Sequence, residues 1–151
     1  MKRTKWVLIF DGGSRGNPGP GYGSYALIKP TESADLPELA EPSALSARSA
    51  DVVRLDFGAR MTNNEAEYDT LIAALEDLIA RITQAGRNPA EFSVEVRGDS
   101  RLVINQVSGA WKARDERMRT RRDRVRELLD RFGSYELRRQ PRQESVRLLG
   151  H

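Results

Sequence analysis

KWVLIFDGG, Lys5 to Gly13, is the stretch whose reading decides the fold. Trp6 to Phe10 is an unbroken apolar run, the pattern of a strand covered on both faces. Asp11 follows at once, and then two glycines. A carboxylate on a buried strand costs several kcal/mol unless a partner or a proton neutralises it. Two further acids take comparable places downstream: Glu67 in the first turns of a predicted helix, and Asp99 just after another apolar strand. Three carboxylates delivered by separate elements could share a divalent metal, and that is the first expectation.

Bulk properties narrow the classes. A chain of 151 residues suffices for one domain with a real core and is short for two. The absence of cysteine removes disulfides, thiolate zinc sites and thiol nucleophiles together, and fits a cytoplasmic protein. No apolar run approaches the ~20 residues that cross a bilayer. MKRTK begins like a signal peptide, but WVLIF is a short apolar run before Asp11, so a cytosolic, untargeted domain without a membrane partner is expected. Net charge is +3, unevenly placed: Lys112 to Arg131 holds nine Lys or Arg against five acids, whereas Thr31 to Ala50 holds four acids and one base. The basic half is either a surface that faces phosphates or a solvated helix face of mixed charge.

Working outward, Gly12 to Gly23 (GGSRGNPGPGYG) carries six glycines and two prolines and reads as a tight connection into a second strand, Tyr22 to Lys29. No Gly-Lys-Ser/Thr follows, so it is not a nucleotide-binding P-loop. Its glycines either make the turn or also let backbone N–H groups approach a nucleic acid. Thr31 to Ala50, with Pro37 and Pro42 and no aromatic residue, is expected to be a long mobile loop. Asp51 to Phe57 reads as a third strand, antiparallel to the second. Thr62 and Glu65 match a capping box, and apolar residues from Ala66 to Ile82 recur at helical spacing up to Ala85, with Gly86 as the stop. Glu67 lies one turn before Leu71 and so shares the apolar face. Ala90 to Arg97 alternates as a strand with one apolar side, and Asp99 after it is either a ligand or a helix N-cap. A short helix through Val107 and a basic helix over about Asp115 to Phe132 follow. Trp111 between them is core or a rim aromatic. Ser134 to Arg139 reads as a last strand, and Pro141 to His151 leaves room for two or three helical turns.

Three motifs, DGGSRGNPGPGYGSYALI, TNNEAEYDTLIAALEDL and VRGDSRLVINQVSGAWK, together resemble ribonuclease H of type 1, in that family's order and at its usual separations. The likeness covers nearly the whole chain except Thr31 to Ala50. GAWK followed directly by one helix resembles the shorter members, which lack a separate basic protrusion. The resemblance implies an α/β fold with a five-stranded mixed sheet flanked by helices, as a single domain over residues 1–151. It implies hydrolysis of the RNA strand of RNA–DNA hybrids, with Asp11, Glu67 and Asp99 as catalytic acids holding two Mg2+ (or Mn2+) ions. It further matches Ser14, Gly16, Asn17, Asn63 and Asn64 to positions that sense RNA 2′-hydroxyls and the minor groove. Arg60 and Thr62 match a pocket gripping a DNA-strand phosphate. The chemistry agrees: magnesium prefers oxygen ligands, paired metals activate water and steady the leaving oxygen, and the 2′-hydroxyl separates RNA from DNA. A monomer is the expected state.

One departure stands out. The family usually ends in Arg-x-x-Asn-x-x-Ala-Asp, whose aspartate is a fourth ligand; the run here is PRQESVRLLGH. Arg142 fits, but Ser145 replaces Asn, Leu148 replaces Ala and Leu149 replaces Asp. An apolar side chain cannot bind magnesium, so weakened activity is expected. Glu144 and His151 are the nearby substitutes, although His151 lies two residues beyond Leu149 and so on the far side of a helix. Arg101 stands where many relatives carry glutamine. Two rivals follow: a ribonuclease H-like domain that binds nucleic acid without cutting it, and a related fold acting on DNA structures.

Overall fold

In a computed structural model of the chain, residues 4–30 and 51–150 are described. The loop expected over 31–50 and the position of His151 lie outside them. Strands β1 (Thr4–Ser14), β2 (Gly19–Ile28) and β3 (Asp51–Met61) lead into helix α1 (Asn63–Gln84). A 3-10 turn (Pro89–Glu91) and β4 (Phe92–Gly98) follow, then α2 (Arg101–Ser108), α3 (Glu116–Leu129), β5 (Ser134–Arg139) and α4 (Arg142–Leu149). The five strands form one mixed sheet in the order β3-β2-β1-β4-β5. β1 runs antiparallel to β2, β2 antiparallel to β3, and β1–β4 and β4–β5 are parallel.

β1 is central, as its apolar run requires. Trp6, Leu8 and Phe10 pack in the main core with Leu71, Leu75 and Leu78 of α1. Val7 and Ile9 point to the other face, against Ala26, Ile28, Leu148 and Leu149. The strand is thus covered on both sides, by α1 on one and α4 on the other. α1 begins where its capping box predicts: Thr62 Oγ1 accepts from Glu65 N (3.2 Å) and Glu65 Oε1 accepts from Thr62 N (2.9 Å).

Element bounds depart from the sequence reading at three places. β2 starts at Gly19 rather than Tyr22 and β3 runs on to Met61, because the glycine-rich stretch pairs instead of looping. A Cβ on Gly21 would lie 2.1 Å from Met61 Sδ, so the methionine side chain packs over the space that a larger residue would take. β4 begins at Phe92 rather than Ala90: Asn88 Oδ1 accepts from Ala90 N (2.9 Å) and Glu91 Oε2 from Asn88 N (2.8 Å), which holds Pro89–Glu91 in a capped turn. The second face of β4, opposite its apolar side, is buried as well, with Glu95 1% and Arg97 7% exposed. They pair with one another and Lys5 reaches Glu95 Oε1 at 3.3 Å. Burial pushes the Glu95 carboxyl up, but Arg97 and Lys5 outweigh it and hold the group below its ordinary value.

The basic helix is bolted to α1 more than it is offered to phosphates. Arg121 Nε lies 2.8 Å from Asp69 Oδ1, Arg124 Nη2 3.1 Å from Glu76 Oε2, and Arg121 and Arg117 reach Glu65 at 3.6 and 3.9 Å. Arg126 donates to the carbonyls of Gln106 and Val107 at 3.1 and 3.0 Å, satisfying the C-terminal end of α2. The mixed-charge reading of this segment is therefore the better one.

The C-terminal segment forms α4, and Leu149 is fully buried between it and the sheet. Its side chain is a piece of core. Leu149→Ala should cost about 2–5 kcal/mol, measured by urea unfolding. Leu149→Asp should destabilise as much or more by burying a charge. No helix among the described residues is long and apolar enough to cross a membrane.

Candidate active site

Asp11 sits at the end of β1's apolar run, by strand alternation on the same face as Val7 and Ile9, and is 7% exposed. Next to it the chain must pass α1 closely. A Cβ on Gly12 would lie 2.6 Å from Ala66 O and 2.9 Å from Glu67 Cα, so the glycine after the aspartate is what brings β1 against the helix at Glu67. Gly12→Ala should cost about 1–3 kcal/mol by pushing α1 away, and should weaken any joint action of Asp11 and Glu67; thermal unfolding and a metal titration check the two effects separately.

Asp99 follows β4, which lies parallel to β1, so both acids emerge at the same end of adjacent strands. Ligand sites of open α/β sheets lie at such strand ends. Asp99 is not the cap of α2. Ser100 takes that role, its Oγ accepting from Val103 N at 3.2 Å, which leaves the Asp99 carboxylate free of capping. Asp11, Glu67 and Asp99 line one cleft of about 530 Å³, along with Asn63, Asn64 and Arg142. Tyr22, Ser100 and Arg101 line it as well.

Electrostatics in the cleft are unfavourable to three bare carboxylates. Burial first, and then the charges of Asp99 and Asp11, push the Glu67 carboxyl up to about 7, against a hydrogen bond to Ser100 and the positive charge of Arg142. Ser100 was visible in the sequence only as part of the strand-acid-helix junction; its position directly before the helix was the signal for a cap. The second role, holding Glu67, had no sequence signal.

The other expected residues divide. Asn63 Oδ1 accepts from Ser14 N (2.9 Å) and Ser14 Oγ (3.0 Å), and Asn17 Oδ1 accepts from Asn63 N (3.1 Å), so the β1–β2 turn is knitted to the start of α1. Ser14 Oγ also donates to the Gly16 carbonyl. Asn64 lines the cleft directly. Arg60 is exposed near the end of edge strand β3, paired with Pro20, and Thr62 spends its hydroxyl on the cap; neither lines the acid cleft. Glu144 is in the first turn of α4, beside Arg147 at 3.8 Å, and does not line the cleft either.

Among the described residues no three His, Cys, Asp or Glu side chains form a ready-made metal cage. The acids share a cleft rather than a closed ligand shell. That suits magnesium, which keeps several waters and takes one or two carboxylates rather than a full set of protein ligands. The donor set therefore fits a hard divalent ion.

The chain matches the family described as "Reverse transcriptase-like" over residues 46–146. A ribonuclease HI of Halobacterium salinarum is 38% identical over 138 residues, which is 91% of this chain and 57% of that protein. The chain thus spans little more than half of that relative. The crystal structure of RNase H1 from the same archaeon superposes with a TM-score of 0.71 at 36% identity, covering 95% of this chain and 91% of that one. The N-terminal RNase H domain of a Mycobacterium tuberculosis protein gives 0.71 at 30% identity, covering 95% of each chain. A metagenomic RNase H1, solved in complex with an RNA/DNA hybrid, gives 0.72 at 26% identity over 95% of this chain and 90% of that one. Such identity, carried over 95% of the chain in superposable folds, leaves one conclusion: the chain belongs to the ribonuclease H family, type 1.

Proposed function

We propose that the protein is a metal-dependent endonuclease that hydrolyses the RNA strand of RNA–DNA hybrids, in a cytoplasmic setting and as a monomer. The observation that carries this reading is the convergence of Asp11, Glu67 and Asp99 on one cleft, from three elements separated along the chain. These residues would hold Mg2+ (or Mn2+), which when bound supplies activation of the attacking water and neutralisation of the leaving 3′-oxygen.

The chain's own residues do the rest. Asn64 at the cleft wall, with the Ser14–Asn17–Asn63 knot beside it, offers amides and hydroxyls to the minor groove, where the 2′-hydroxyl distinguishes RNA from DNA. Backbone N–H groups around Gly16 belong to the same surface. Arg60 and the N-terminus of α1 at Thr62 are assigned to a DNA-strand phosphate, which a helix start favours. Ser100 orients Glu67, and Arg142 offsets part of the negative charge that gathers in the cleft.

A specific observation favours a second reading, a hybrid-binding domain that does not cut. Leu149 fills the place where the family's pattern carries its last acid, and it is buried in the core. The first reading with reduced activity and the second without any are separated by one assay. Purified protein is given an end-labelled hybrid in Mg2+ and, separately, in Mn2+, with duplex DNA as control. Multiple turnovers on the hybrid support hydrolysis; binding without product supports the rival, and equal cutting of duplex DNA would refute the hybrid specificity.

A further inference from the structure

Arg117, Arg121 and Arg124 of α3 are engaged with α1 and Arg126 with α2, but three arginines elsewhere meet in one place. Arg15, Arg54 and Arg142 line a second cleft of about 520 Å³, shared with Tyr22, Asp11 and Asp56. It is continuous with the acid cleft, since Asp11, Tyr22 and Arg142 line both. The three arginines come from three elements: the β1–β2 turn, the edge strand β3 and the first residue of α4. A solvated helix face cannot account for such a meeting.

Arg142 faces the Glu67 charge, while no ion pair between Arg15 or Arg54 and another described residue is formed. Arg15 lies over the Tyr22 ring, 5.9 Å from its centroid, and Arg54 Nη1 donates to the Leu149 carbonyl at 3.1 Å. Asp56 has its own task, accepting from Gly58 N at 3.0 Å. Gathering three guanidiniums on one wall raises their mutual repulsion, which an anion seated among them relieves. Guanidinium is also the group whose planar fork matches phosphate oxygens.

We propose that this cleft is a phosphodiester subsite, which takes the backbone of the strand being cut where that strand leaves the acid cleft on the β2–β3 side. The inference rests on the hybrid-cleaving reading and extends the substrate path past Asp11, beyond the surface formed by Asn63, Asn64 and Glu67.

The test compares the full chain with Arg15→Gln, Arg54→Gln and the double variant. The substrate is a long duplex whose cut strand carries a short central block of ribonucleotides, so that the cleavage position is fixed. Two further duplexes have that strand trimmed flush to the block on the 5′ or on the 3′ side. On the long duplex the double variant should raise KM about five- to twentyfold and flatten the dependence of log KM on log salt by about one to two. The loss should vanish on one trimmed duplex and persist on the other. Equal KM and salt slope for all proteins on the long duplex, or a loss indifferent to trimming on either side, would overturn the subsite. Arg54→Gln removes a bond that holds the end of α4; if it does not fold, Arg15→Gln alone decides, with a KM shift of about two- to fivefold. Should the wild-type chain cut no hybrid in either metal, the hydrolytic reading fails by itself. The same comparison then runs as fluorescence-anisotropy binding of the labelled duplexes, where a weaker, less salt-sensitive variant complex retains the subsite and an equal one removes it.

Discussion

Asp11→Asn should lower hybrid cleavage by about a thousandfold or more, equivalent to about 4 kcal/mol of transition-state stabilisation. The amide keeps the shape of the side chain and removes its charge. Asp11 is 7% exposed, so the charge acts in a site screened from water, where its attraction for a cation is strongest. The fold should survive: the metal-free variant loses one of the two negative charges that oppose ionisation of Glu67. Its thermal midpoint in EDTA should match or exceed that of the wild type. Activity retained in Mg2+ or Mn2+ would remove Asp11 from the site.

Glu67→Gln should remove this acid's share of the pH dependence of stability. The carboxyl is raised from its ordinary 4.5 to about 7 in the native state, so between these values the metal-free folded protein holds a proton that the unfolded chain releases. Stability from this group is fully present below about pH 4.5, falls as pH rises through about 7, and is flat above. The total loss is about 3 kcal/mol at most, and partial exposure of the side chain trims it to about 2 kcal/mol. Without metal at pH 8 the variant should therefore be the more stable protein, and urea unfolding across pH 4–8 in EDTA reads the difference. Saturating Mg2+ should reverse the order, because the ion binds the ionised acid and is linked to loss of its proton. A wild-type stability indifferent to pH over this window would contradict the electrostatic account of the cleft.

Most of the sheet, and the meeting of Asp11, Glu67 and Asp99 at one cleft, were legible in the sequence, for identifiable reasons. Trp6 to Phe10 admitted only a strand covered on both faces, and the coordinates place it at the sheet's centre. The capping box at Thr62 and Glu65 fixed the start of α1 because both halves of the box are local. What escaped the sequence depended on distant partners. The strand was read with one apolar side, and Glu95 and Arg97 on the other are buried because each neutralises the other with help from Lys5. The charge of α3 was compatible with a phosphate-facing surface or a solvated mixed-charge face, and what decides between them, Glu65, Asp69 and Glu76 on α1, lies far off in the sequence. Ser100, not Asp99, caps α2, a difference of one residue that decides whether Asp99 is available. Leu149 read as a missing ligand; its burial against Val7 and Ile9 shows what the residue does instead.

The central claim is that Asp11, Glu67 and Asp99 hold one divalent ion between them. Anomalous diffraction from crystals soaked in Mn2+ tests it most directly. The account predicts a manganese peak in the acid cleft, bonded to at least two of the three carboxylates and completed by water. A cleft without manganese under saturating metal, with the ion bound at other side chains, would contradict it.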